Sequence, residues 1–197
     1  MSNKLSLYAQ ASKLSLENSE QYIKDAKLLI KNSSFGHASA LLRLAVEEST
    51  KALVCWFTSE KILPRENKLV RDMFKDHRVK NKFFLSFLPG WIAGRTFRSW
   101  RRFMESMPKL SDEQISEGTR EVQKIIASTD EMRHRAMYVN LKGTQVETPL
   151  EIGEEEPKDI LWGAEFFLKV VRDIIEKFPE KRKAELRGVI SKILKED

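Results

Sequence analysis

A glutamate, a histidine and an arginine each sit inside the apolar stripe of a different helical segment of this 197-residue chain. On a wheel of 100° per residue, Leu41, Ala45, Glu48, Ala52 and Cys55 fall on one line. Val70, Met73, Phe74, His77, Asn81, Phe84 and Leu88 make a second line, and Val122, Ile126, Thr129, Arg133 and Ala136 a third. Burying a carboxylate without a partner is costly, so a cation or donor from another helix should face Glu48. His77 and Arg133 are the candidates, and Glu47 and Asn81 stand beside them as supporting members of one polar cluster. The plainer reading is three core residues, each satisfied separately. Next to the Glu48 stripe, Arg43, Glu47 and Lys51 form an i, i+4 ladder of the kind that lies on a wet helix face.

These residues need helices to position them, and the pattern is helical nearly throughout. Glycine and proline are sparse, and no alternating strand pattern persists. A first helix is expected over 4–32, with Leu7, Ala11, Leu14, Tyr22, Ala26 and Leu29 on its apolar side, broken by the SSFG of 33–36. A second runs from about His37 to Glu60, and a third over 66–88, ahead of Pro89-Gly90. Residues 91–107, WIAGRTFRSWRRFMESM, read as a basic amphipathic insert. Ser111 with Gln114 three residues on is a capping box that opens a fourth helix to about Val139. Residues 141–156 read as a loop. Pro157 suits the first turn of a fifth helix, whose positive end Glu154, Glu155 and Glu156 favour. A lysine-rich, exposed helix over 180–195 closes the chain. The expectation is one domain over 1–197 with its core in 5–140 and 157–178: an all-α, up-and-down bundle with no sheet, carrying a basic helical insert and an extra C-terminal helix.

Composition narrows the function. Hydrophobic residues at 41% and charged residues at 32% suit a soluble globular protein. No apolar run reaches the roughly 20 residues of a membrane span, and the N-terminus lacks a signal-peptide layout. Cytoplasmic location follows as the expectation. The single cysteine excludes an internal disulfide framework and a cysteine zinc cage. Glu131-x-x-His134 is half of a di-iron signature with no second half. No metal and no other cofactor is therefore expected. The net charge of +6 is uneven: residues 61–109 hold thirteen Lys/Arg against four Asp/Glu, a local +9, so the remainder carries −3. Such a patch suits RNA or another polyanion, and Arg95, Arg98, Arg101 and Arg102 lie among Trp91, Phe97, Trp100 and Phe103, which could stack bases or pack the insert.

Three blocks occur in order on the expected helices: SFGHASALLRLAVEESTKAL, FKDHRVKNKF and RHRAMYVN. Together they resemble the AbiV-type abortive-infection proteins of the HEPN (higher eukaryotes and prokaryotes nucleotide-binding) helical superfamily, over about residues 5–140. The matching positions are Glu47, Glu48 and Lys51, then His77 and Lys80, then an arginine (Arg133 or Arg135) ahead of Tyr138-Val139. Asn140 stands where the pattern usually has an acidic residue.

The resemblance implies a HEPN-like bundle, phage defence and, in many such proteins, metal-independent RNA cleavage. The RNase signature is an arginine followed, after four to six residues, by a histidine; here Arg71-Asp72 precedes His77 with five between. On that reading His77, Arg71, Glu48 and Arg133 are the catalytic candidates. Lys51, Lys75, Arg78, Lys80, Lys82, the insert arginines and Tyr138 are the candidates for binding RNA, phosphate or a partner. Arg71 also fits a plain basic face with Lys75, Arg78 and Lys82. On one continuous helix Arg71 and His77 would diverge by about 120°, so sharing a site needs a late helix start or a second subunit. A homodimer, RNA or the translation machinery, and a phage-encoded activator are the expected partners. A non-catalytic helical protein that inhibits translation by binding the translation machinery or a phage protein is the other reading.

Overall fold

The computed structural model describes residues 3–75, 113, 117, 120, 135–142, 145–184 and 186–188. The first helix, α1, spans Asn3–Lys31. The chain reverses in three residues and enters α2, Phe35–Ser59. The break expected at 33–36 is a helix stop in which Ser34 N donates to Leu29 O at 2.9 Å and Ser33 N to Ile30 O at 3.0 Å. This arrangement puts Ser33 in the left-handed region, φ 57°, where glycine is the usual occupant. The end of α2 repeats the device. Ile62 N bonds Phe57 O at 2.8 Å, Lys61 N bonds Thr58 O at 3.1 Å, and Lys61 takes φ 56°. Neither stop uses glycine, so each holds a side chain in a conformation costing about 1 kcal/mol or more.

Helix α2 occupies the centre of the bundle and is buried on almost every side. Small residues let α1 approach it closely. Ser12 Oγ donates to Ala52 O at 2.8 Å, Ser19 Oγ donates to Ala45 O at 2.8 Å, and the Ser19 and Ser49 hydroxyls lie 2.8 Å apart. The buried hydroxyls of Thr50 and Thr58 bond back to Val46 O and Val54 O within the helix. A second flank of α2 receives the fifth helix of the sequence reading, here α4, Glu155–Lys177, which also pairs with α1 through Lys27–Glu165 and Arg172–Glu20. It opens on Glu155 and Glu156 with Pro157 in its first turn, as expected from the acidic run and the proline. Phe57, Leu42, Leu53, Ile62, Leu63, Met73, Phe167 and Ile174 are the fully buried large side chains of the core. The all-α bundle is thus the architecture of the chain.

Three local expectations change and a fourth holds. The third helix begins later than residue 66 and is short: α3 covers Lys68–Asp72, and 73–75 form a turn closed by Lys75 N on Asp72 O at 2.9 Å. Pro64 explains the delay, because the turn that follows it bonds Asn67 N to Pro64 O. Within its stripe Val70 and Met73 are buried, whereas Phe74 is 51% exposed. Secondly, the 141–156 segment is not all loop, and the expected absence of a sheet does not hold. Strand β1, Asn140–Lys142, pairs antiparallel with β2, Gln145–Glu147, in the register Asn140 to Glu147. Three-residue strands are too short for alternation to show in a sequence. A 3-10 turn, Pro149–Glu151, follows, with Thr148 accepting from Leu150 N.

Thirdly, the chain after Pro179 is helical at 183, 184 and 186–188, as expected, but the helix starts later than 180 and is not exposed throughout. It forms a 3-10 turn, Glu180–Arg182, then packs on the end of α2. Leu186 is buried, Lys183 Nζ pairs with Glu60 and Glu180, and Arg187 Nε donates to Lys61 O at 2.9 Å. Phe178 meets Trp56 edge-on at 5.7 Å, and Lys183 lies 6.0 Å from the same indole. Lastly, the fourth helix is described only at its exposed positions Glu113, Glu117 and Arg120 and over 135–137, all helical. Its last stripe residue, Ala136, is buried against Ala40 and Ile152, as expected.

Gly36 shows how tightly the α2 entry is held. A Cβ there would lie 2.4 Å from Pro149 O and 2.8 Å from Pro149 Cβ. Gly36→Ala should therefore destabilise the fold by about 1–3 kcal/mol despite alanine's better helix propensity. A thermal melt with an unchanged or raised midpoint would show that Pro149 moves aside freely.

Candidate functional site

The polar residues of α2 lie in two adjoining lines. Ser39, Arg43 and Glu47, four apart, are all buried, Arg43 and Glu47 to 2% exposure. Glu48 and Lys51 sit beside them, largely buried at 14% and 19% exposure, and pair with each other across one turn. Arg43 is held from another helix: its Nη2 lies 3.4 Å from Glu156 Oε1 on α4. Burial pushes the Arg43 guanidinium down from its usual range, and the Glu156 carboxylate opposes that shift by charge and hydrogen bond. Two further polar groups are buried with no hydrogen-bond partner among the described residues, Ser39 Oγ and Arg135 Nε. They are chain neighbours of Ala40 and Ala136, which pack together. The first turns of α2 and the helical residues 135–137 therefore meet with polar groups on both sides.

This arrangement changes the expectation for α2. Glu48 is largely buried, at 14% exposure, but its cation is Lys51 of the same helix, and the Arg43–Glu47–Lys51 ladder expected on a wet face is buried as well. The cause is the position of the helix. A single stripe marks the inside only when the other face meets water, and α2 is covered nearly all round. Sequence reasoning missed the Arg43–Glu156 pair, although the acidic run ahead of α4 was visible; it was read only as complementing the helix dipole.

The other expected site residues fall into three groups. Arg71 and Lys75 are exposed, Arg71 in the last turn of α3 and Lys75 in the turn after it. Helix α3 stops at Asp72, one residue after Arg71, and 73–75 form a turn. Tyr138 is 53% exposed, next to Val139 at 68% and Met137 at 41%, at the end of the helical residues 135–137. His77, Arg78, Lys80, Asn81, Lys82, Arg95, Arg98, Arg101, Arg102 and Arg133 lie outside the described residues.

Cys55 is not part of this chemistry. Burial pushes its thiol up to about 12, with Lys51 pulling it down and Glu48 pushing it further up. At pH 8 about one thiol in 10⁴ would be ionised. Alkylation of the native protein at pH 8 should thus be slow and follow global opening; rapid stoichiometric labelling without unfolding would contradict its burial.

The two ion pairs of α2 should respond differently to substitution. Glu156→Gln removes the counter-charge of a buried guanidinium and should cost about 1–3 kcal/mol. Glu48→Gln weakens a largely buried pair whose cation, Lys51, keeps a path to solvent, and should cost about 1 kcal/mol. Urea denaturation of both variants measures the contrast, and equal losses would mean that Glu48 carries the buried role after all.

No curated protein and no solved structure matches the chain. A family model does: HEPN_AbiV, described as AbiV, matches residues 7–165. The matched span includes α1, α2, α3, the hairpin and the first half of α4, and so contains the whole polar line of α2 and its Glu156 partner. The chain belongs to the AbiV family of HEPN proteins, a family associated with abortive infection, the phage-defence response.

Proposed function

We propose that this protein is a HEPN-type, RNase-like toxin that arrests translation or growth when phage infect. The observation that carries the reading is the cost the fold accepts in α2, where Arg43 and Glu47 are buried to 2% exposure in the middle of the bundle. A purely structural helix gains little from buried charges that apolar residues of similar size could replace. In this reading the charged line of α2 orients the cleaving residues. His77 takes the proton of an RNA 2′-hydroxyl, the freed oxygen attacks the adjacent phosphorus, and the bond to the 5′-oxygen breaks. That oxygen takes a proton from water, leaving a cyclic phosphate and a 5′-hydroxyl, and His77 later gives its proton to solvent. Arg71 holds the phosphate and its developing charge. Glu48 and Arg133 position these groups, with Glu47 and Asn81 in support. Lys51, Lys75, Arg78, Lys80, Lys82, the insert arginines and Tyr138 bind the RNA strand.

A homodimer completes the site in this reading, a phage-encoded protein is the trigger, and the cytoplasm is the place of action. Among the described residues no helix is long and apolar enough to cross a membrane. The second reading is a non-catalytic protein that inhibits translation by binding the translation machinery or a phage product. What favours it is the run of exposed apolar side chains at Met137, Tyr138 and Val139.

RNA integrity after induced expression separates the two. Wild type should fragment cellular RNA, and His77→Ala should leave it intact while melting at the wild-type temperature. Growth arrest by His77→Ala with intact RNA would reject catalysis and leave the binding reading.

A further inference from the structure

A second feature lies away from the α2 charges. Between the N-terminal half of α1 and the chain around α3 runs a groove of about 460 Å³, lined among the described residues by Leu7, Tyr8, Ala11, Arg65 and Phe74. Its apolar walls face solvent: Leu7 is 58% exposed and Phe74 51%; Leu14, one heptad along α1 beyond the groove, is exposed too, at 54%. Large apolar side chains left in water at helical spacing mark a surface that another helix covers. Arg65, paired loosely with Glu66 at 3.8 Å, is the charge that lines the groove among the described residues. The chain that supplies this rim is basic: residues 61–75 hold Lys61, Arg65, Lys68, Arg71 and Lys75 against Glu66 and Asp72, and Arg65, Lys68, Arg71 and Lys75 are all exposed.

We propose that this groove docks an amphipathic helix of a partner protein, one whose apolar stripe is flanked by acidic residues. The walls set the first half of the description and the rim sets the second. RNA fits less well, since phosphates would meet the rim but leave Leu7 and Leu14 in water, and leucine offers no face for base stacking. A second copy of this chain fits less well too. A two-fold interface brings a patch against itself and would set the same basic rim against its own image. The proposal shares Arg71 and Lys75 with the nuclease reading but turns on Leu7, Phe74 and Arg65, which line the groove and have no part in cleavage.

A direct test uses the full chain and a capped synthetic peptide of about 18 residues, with leucines at i, i+3, i+4 and i+7 and glutamates beside them. A matched peptide carries lysines in place of the glutamates, and a single-stranded RNA of similar length is the third probe. By fluorescence anisotropy the acidic peptide should bind in the micromolar range, and the lysine peptide at least about tenfold more weakly. Leu7→Ser with Phe74→Ser should weaken the acidic peptide about tenfold or more, with an unchanged melt, because both side chains are exposed. Arg65→Glu should reverse part of the charge preference, weakening the acidic peptide and strengthening the lysine one. Three results would overturn the proposal. Equal affinity for the two peptides would show that the rim does not select. RNA affinity that falls as far as peptide affinity on Leu7→Ser with Phe74→Ser would show that the groove belongs to the RNA site and not to a helix. A halved mass on Leu7→Ser, by sedimentation, would show that the groove pairs two copies of the chain.

Discussion

A helix sheathed by protein has no water to satisfy its polar groups, and that constraint on α2 organises the bundle. Its serines, threonines and charges must find partners inside. Thr50 and Thr58 turn back to carbonyls one turn earlier. The carbonyls of Ala45 and Ala52 take a second hydrogen bond from serines of α1, which brings that helix in close. Arg43 reaches Glu156 and thereby fixes where α4 must begin relative to α2. Each neighbour of the central helix is placed partly by a polar demand and partly by apolar packing. Such demands are specific in a way that leucine contacts are not, because an unmet one costs free energy outright.

Much of this was legible before the fold was known, where a residue's role depends on local chemistry. The Ser33–Ser34 break, the acidic opening of α4 and the buried Ala136 at the end of its stripe all follow from periodicity and helix-end preferences. What was not legible depends on neighbours distant in sequence. Glu48 and Arg43 sit five residues apart on one helix, and the wheel ranks them by assuming a single inside. The assumption fails when α1 covers one flank and α4 another. Strands β1 and β2 escaped for a different reason: three residues a side is shorter than any alternation a window can register.

The charged residues illustrate the same division. Arg71 and Lys75 were expected on a basic face, and both are exposed. Tyr138 was expected at a binding surface and presents half its area to solvent. The Arg43–Glu156 pair spans 113 residues of chain, and no spacing rule links positions so far apart. Long-range electrostatic pairing is a property of topology, and topology enters only when the helices are arranged around α2.

The short reversal between α1 and α2 has a kinetic side. Two long helices joined by three residues, with serine hydroxyls of one on carbonyls of the other, make contacts whose loop-closure entropy is small. Helical hairpins of this kind close within microseconds to milliseconds, whereas contacts across about a hundred residues wait for slower chain diffusion. The α1–α2 pair should accordingly assemble first, holding Arg43 and Glu47 on a surface still open to water. Arrival of α4 then removes that water and locks the guanidinium onto Glu156. The charged line of α2 would thus be solvated early in folding and sealed late. Desolvation of Arg43 then falls at the end of the pathway, where the rest of the core can compensate for it.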